Sequence, residues 1–241
     1  MTPPEHFALI NKSAHFTFAD MQKIAASVNA QLAEDFYPIW QRHIDITAYE
    51  TEADVPVGHW KSFVQDGLAE PGALGYHTDE LNQPVSYIDG SSGDINQVCV
   101  TVSHETIEAG VDPYGNRLIT ALHPINNTDT VRILCEPGDP SEAQSYERAG
   151  LQVSDFYVPE WFDPSKQEGV KYSYLDKLPG PRTIIDGGYM SFIGADGKWY
   201  QLTNFDGLGT KQEGPFDWQL KDGQSLREMV DEYTRPRLPK K

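Results

Sequence analysis

The stretch from Asp94 to Pro113 constrains the fold of this chain more than any other. It reads as one capped helix with an apolar and a polar stripe. Gly90-Ser91-Ser92-Gly93 is a flexible lead-in. Asp94 then offers a side-chain oxygen to the open amides of a first turn, with Gln97 three residues on as in a capping box. Ile95, Val98, Val102 and Ala109 recur on one face, while Gln97, Thr101, His104 and Glu108 recur on another. Gly110 and Pro113 bring the helix to an end. A polar stripe on so apolar a helix predicts that it lines a cleft.

Within this helix Ser103-His104-Glu105-Thr106-Ile107-Glu108 reads H-E-x-x-E. At about 3.6 residues per turn, positions four apart share a face. The string differs by one residue from H-E-x-x-H, the helical zinc motif. His104 and Glu108 are therefore candidate ligands of one divalent metal, and Glu105 is the candidate general base. A third ligand must come from elsewhere. The best source is Cys135-Glu136-Pro137-Gly138-Asp139-Pro140, where prolines and a glycine hold two carboxylates in a fixed turn after a strand. Either Glu136 or Asp139 is the ligand, and the other orients His104 from behind. His77 and His123 are further candidates, each more readily read as an ordinary structural histidine. One His with two carboxylates is a hard donor set. It takes zinc first but also admits Mn²⁺, Fe²⁺ or Ca²⁺. Its extra negative charge lowers the Lewis acidity left for water, so a binding or structural ion competes with catalysis.

The whole chain narrows the partners. Its 241 residues carry 36 acidic and 19 basic side chains, a formal net charge of -17. Such a surface repels nucleic acid and anionic lipid. No apolar run approaches the roughly 20 residues needed to span a membrane. The start of the chain lacks the basic and apolar regions of a signal peptide. The expectation is a soluble, cytoplasmic protein with a peptide or protein substrate, no nucleic acid and no membrane. Oligomeric state is open. The two cysteines, Cys99 and Cys135, make no disulfide framework and are expected to be buried free thiols.

Along the chain, Phe7 to Ile10 reads as a strand. Thr17 to Leu32 reads as a helix capped by Thr17 with Asp20. His43 to Tyr49 alternates like a half-buried strand, and Trp60 to Val64 is a short one. Ala73 to His77 and Pro84 to Ile88 flank a polar turn. Arg117 to Leu122, Val131 to Cys135 and Leu151 to Ser154 are further strands. Tyr189 to Ile193 and Trp199 to Leu202 form a hairpin across Gly194-Ala195-Asp196-Gly197. Asp222 to Tyr233 reads as a terminal helix. The elements lack regular βαβ alternation, which favours an α+β fold with a mixed twisted sheet and a strand- and loop-rich C-terminal half. One domain over 1–241 is expected, with 1–6 and 234–241 as loose tails.

Other chemistries lack their motifs. There is no nucleophile elbow, P-loop or dinucleotide fingerprint. The Glu136/Asp139 pair with Tyr157, Trp161 and Phe162 leaves a glycan-acting or glycan-binding reading open.

Several strings occur together: Ala73-Leu74-Gly75-Tyr76-His77, Val102-Ser103-His104-Glu105 through Glu108 with Asp112-Pro113, Cys135 to Asp139, Tyr146-Glu147, Val153-Ser154-Asp155-Phe156 through Asp163, and Gly187-Gly188-Tyr189. Over roughly 55–195 this combination resembles an uncharacterised bacterial and phage-associated family with an S-H-E-x-x-E helix. Through that helix the family is similar to zincin-type metallopeptidases. The resemblance implies a zincin-like fold and a shared site around helix and turn. Here the turn has Glu136 and Asp139 where the family carries Asp and Glu. The function expected is a metal-dependent hydrolase, first a metallopeptidase. The alternatives are a non-catalytic interaction module on the same scaffold and the glycan reading.

Overall fold

A computed structural model describes residues 5–68, 73–205 and 207–216. The fold is α+β, and its contacts divide into two compact units. The first comprises residues up to Pro113 together with Ser145–Ser154, and the second Tyr114–Gln144 together with residues from Asp155 on. Among the described residues no helix is long and apolar enough to cross a membrane.

The first unit holds a five-stranded sheet of β1 (Glu5–Asn11), β2 (Ile44–Tyr49), β3 (Trp60–Gln65), β4 (Gly75–Glu80) and β5 (Gln83–Asp89). The strand order is β2-β1-β3-β5-β4. β1, β2, β3 and β5 are parallel, and β4 pairs antiparallel with β5. Phe7 to Ile10 of β1 are all buried, as both faces of an inner parallel strand must be. β1 already begins at Glu5, inside the stretch expected to be loose. Leu81 and Asn82 both take positive φ, which gives the β4–β5 hairpin its two-residue turn.

Helix α1 (Phe18–Gln31) buries Met21, Ile24, Ala25 and Val28, the predicted stripe. The chain does not stop at Leu32. It widens into a π-helical turn over Leu32–Phe36 and continues as α2 (Tyr37–Trp40). Pro38 explains the widening. It has no amide hydrogen, and its ring crowds the carbonyl four residues earlier, so the regular ladder cannot pass through it.

The cap of α1 is reciprocal. Thr17 Oγ1 accepts from the Asp20 amide at 3.2 Å, and Asp20 accepts from the Thr17 amide at 3.0 Å. Bonding from Thr17 holds the Asp20 carboxyl down at about 2. A depressed carboxyl stabilises the fold above its unfolded value of 3.8, and that contribution is lost as pH falls toward about 2. Thr17→Ala should cost about 1 kcal/mol at neutral pH in urea unfolding. Its deficit should shrink as pH drops through that window. A deficit that does not change with pH would break the link between cap and carboxyl.

Helix α3 (Ile95–Val111) follows β5 through Gly90 and Gly93. Asp94 caps it, but through the Asn96 amide at 2.9 Å rather than in a box with Gln97. Every residue from Thr101 to Val111 is buried, including Thr101, His104 and Glu108 of the polar stripe, while Gln97 is half-buried. Gly110 lies inside the helix rather than beyond its end. A Cβ there would stand 2.1 Å from Ile44 Cδ1, so its absence lets α3 press against β2. The unit is completed by the hairpin β8 (Ser145–Arg148) and β9 (Leu151–Ser154), which turns through Ala149 and Gly150, both at positive φ. The Ser154 amide donates to Ser103 Oγ at 2.8 Å, and Gln31 Nε2 donates to the Ser154 carbonyl at 2.7 Å.

The second unit is built on an antiparallel sheet of β6 (Leu118–Leu122), β7 (Thr130–Leu134), β10 (Tyr189–Ile193), β11 (Trp199–Thr203) and β12 (Lys211–Phe216), ordered β12-β11-β10-β7-β6. The β10–β11 hairpin crosses Gly194 to Gly197 as predicted. The terminal helix expected over 222–233, the tail at 234–241 and residues 1–4 lie outside the described residues.

Candidate functional site

α3 carries His104, Glu105 and Glu108 on its last two turns, and all three are buried. The i, i+4 spacing brings His104 Nε2 to 3.3 Å from Glu108 Oε2. The pair expected to share a face therefore does so at contact distance.

A second histidine arrives from β4. His77 is fully buried, and its Nδ1 lies 3.3 Å from Glu105 Oε2 and 3.8 Å from Glu108 Oε2. Gly75 permits this approach. A Cβ there would stand 2.4 Å from Thr101 Cγ2 and 2.9 Å from Glu105 Oε1, so any side chain would push the strand off the helix. The other ring nitrogen, Nε2, is 3.2 Å from the carbonyl oxygen of Asp112. A carbonyl only accepts, so Nε2 carries the hydrogen. In the neutral ring Nδ1 then presents a lone pair toward two carboxylates. One proton between His77 Nδ1 and Glu105 Oε2 makes that contact a hydrogen bond.

The helix dipole does not offset this negative charge. Glu108 and the cap residue Asp112 sit at the C-terminal end of α3, where the dipole disfavours anions. Nearby, Arg42 Nε donates to the Gly110 carbonyl at 3.1 Å, and its guanidinium also pairs with Glu5.

Glu136 and Asp139 belong to the second unit. Both are buried in the turn after β7, where Asp139–Ser141 forms a 3-10 turn. Backbone bonds fix the turn. The Pro137 carbonyl accepts from the Tyr157 amide at 2.8 Å, and the Pro140 carbonyl from the Ile185 amide at 3.1 Å. Gly188 is needed there, because a Cβ would lie 2.3 Å from the Pro140 oxygen. The Tyr157 hydroxyl donates to Cys135 Sγ at 3.5 Å.

Cys99 and Cys135 are both buried thiols outside any disulfide, and burial pushes the Cys99 thiol up to about 12. Comparison with known proteins adds nothing to these observations. No family model, curated protein or solved structure matches the chain.

The remaining candidates are placed as follows. His123 caps a surface turn, accepting from the Ile125 amide at 3.1 Å, and packs edge-on to Phe192. Burial lowers its pKa. Tyr157 and Trp161 are fully buried and stacked at 4.4 Å, with Phe162 edge-on to both, so these rings pack the core of their unit. His77, named from the sequence only as a further candidate, stands beside Glu105 and Glu108. The one local pointer to it is the glycine two residues earlier, on the same face of the strand.

Proposed function

We propose that this chain is a metal-dependent hydrolase, a zincin-like metallopeptidase whose cation is held on α3. The buried His104–Glu108 pair carries the proposal, because one imidazole and one carboxylate meet on a single helical face with Glu105 alongside. Three further features support it. The sheet order β2-β1-β3-β5-β4 puts an antiparallel strand at the edge, and the motif helix directly follows β5. A peptide can extend such an edge by main-chain pairing. His77 restores a second imidazole near a motif that lacks one. Its Nε2–H is anchored on a carbonyl, as the far nitrogen of a ligating histidine usually is.

In this scheme His104 and Glu108 hold the ion on α3. A bound divalent ion supplies Lewis acidity toward a scissile carbonyl and toward water. Glu105 takes the proton from the attacking water and returns it to the leaving amine. Zinc suits the imidazoles, and Mn²⁺ or Fe²⁺ suits the carboxylates. Purified protein should carry a tightly bound transition metal, and His104→Ala should lose the ion bound there, measured by elemental analysis after dialysis. Full retention in the variant would remove His104 and Glu108 as the ligand pair.

A second reading is a non-catalytic module that keeps a structural ion. It is favoured by the complete burial of His77 and Glu108, which leaves those two groups little access to a substrate. Metal bound without hydrolysis of a peptide library would select it.

A further inference from the structure

We propose that His6 and His59 together hold a transition-metal ion of the imidazole-binding class, Zn²⁺ or Cu²⁺.

The sheet of the first unit lines these groups up. β1 runs between β2 and β3, and His6 pairs in register with Asp45 of β2. Phe7 pairs with Trp60, so His59, one residue earlier, flanks His6 from the other side. Side chains alternate between the two faces along a strand. Leu9, Ser62, Ser86 and His77 pair in register across β1, β3, β5 and β4, and so share the face on which His77 meets α3. His6, three residues before Leu9, lies on the opposite face. An ion beside His6 is therefore separated from any ion on α3 by the sheet itself.

Asp45 prepares His6 as a ligand. His6 Nδ1 stands 2.9 and 2.8 Å from the two carboxylate oxygens. An ionised carboxylate only accepts, so Nδ1 carries the hydrogen. The neutral ring then keeps its lone pair on Nε2, on the side away from Asp45. A carboxylate behind a ligating imidazole fixes this tautomer and raises the basicity of the far nitrogen.

His59 is brought alongside by a turn. Gly58, at φ +94°, shapes it, and the His59 amide donates to the Pro56 carbonyl at 3.3 Å. The His59 and His6 rings stand 5.0 Å apart, centroid to centroid, with their planes 20° apart. A nitrogen about 2.1 Å from a metal puts its ring centroid about 3.2 Å from that metal, so two imidazoles on one tetrahedral ion hold their centroids about 5 Å apart. The observed spacing is that of a shared ion. Among the described residues no hydrogen bond fixes the His59 ring, and Tyr49 meets it edge-on at 5.9 Å. A rotation about its Cβ–Cγ bond aims a nitrogen at the point that His6 Nε2 faces. Both rings are half-buried, so an ion enters from solvent. Two nitrogen donors select Zn²⁺ or Cu²⁺ over Ca²⁺ and Mg²⁺. The remaining positions of the ion stay open to water or to an incoming amine or carboxylate.

The test titrates the full chain with Zn²⁺ and follows the histidine ring protons by nuclear magnetic resonance. His6→Ala and His59→Ala assign the two signals, and circular dichroism checks that each variant folds. The readout is local, so an ion held on α3 does not enter it. Both signals should move together and saturate at the same Zn²⁺ concentration. Removing either ring should abolish the response of the other over that range. Asp45→Asn should keep the paired response and weaken Zn²⁺ binding roughly 10- to 100-fold. A His59 signal that stays in place while His6 responds would overturn the shared ion. So would a response of either ring that survives loss of the other, or two signals that never move. Unchanged affinity in Asp45→Asn would overturn the part given to the carboxylate.

Discussion

Replacing Glu105 with Gln should abolish hydrolysis while the ion beside His104 stays bound. A positioned general base contributes roughly 10²- to 10⁴-fold, so kcat should fall by about that factor. The isosteric amide is the right probe because the position is tight. Glu105 is wedged between His77 and the glycine face of β4, with Oε2 3.3 Å from His77 Nδ1 and Oε1 2.9 Å from where a Gly75 side chain would begin. Gln fills the same space and can still meet the imidazole, but it cannot take a proton from water. The measurement is peptide-library cleavage beside metal content for the wild type and the variant. Unchanged cleavage would remove Glu105 from the chemistry. Lost cleavage with lost metal would instead make it a ligand, and the base would have to be sought elsewhere.

The local parts of this site were legible before any coordinates. A capping residue, two stripes and an i, i+4 pair are all encoded within the span of one helix, and α3 forms where they place it. Strands with uniform or alternating apolar character, such as β1, β2 and β10, were equally readable. His77 was legible only as a further candidate, because its meeting with Glu105 joins residues 28 apart on different elements, and periodicity carries no such information. Of the polar stripe expected to line a cleft, Thr101, His104 and Glu108 are buried and Gln97 is half-buried, and β4 and β9 both pack on α3. β8 itself went unseen. Ser145-Tyr146-Glu147-Arg148 has no apolar alternation, and the strand exists through its pairing with β9 and through what its side chains do at a distance.

Those side chains make the largest expected stability effect in the first unit. Arg148 grips Asp35 with two parallel bonds, Nε to Oδ2 at 2.5 Å and Nη2 to Oδ1. The Tyr146 hydroxyl donates to Oδ2 at 2.8 Å. Asp35 is buried in the π-helical turn after α1, and this fork ties the β8–β9 hairpin to it. Removing one partner of a buried pair leaves a charge without its main compensation, which typically costs about 3–5 kcal/mol. Arg148 is partly exposed, so Arg148→Ala is expected near the lower end, about 3 kcal/mol in urea unfolding. The double variant Asp35→Leu/Arg148→Met should recover much of that loss, because it removes both desolvated charges and keeps apolar volume. A single variant within about 0.5 kcal/mol of wild type would place the pair among surface bridges of little consequence. A double variant no better than the single would mean instead that the Tyr146 bond and the packing of the arginine stem hold the hairpin in place.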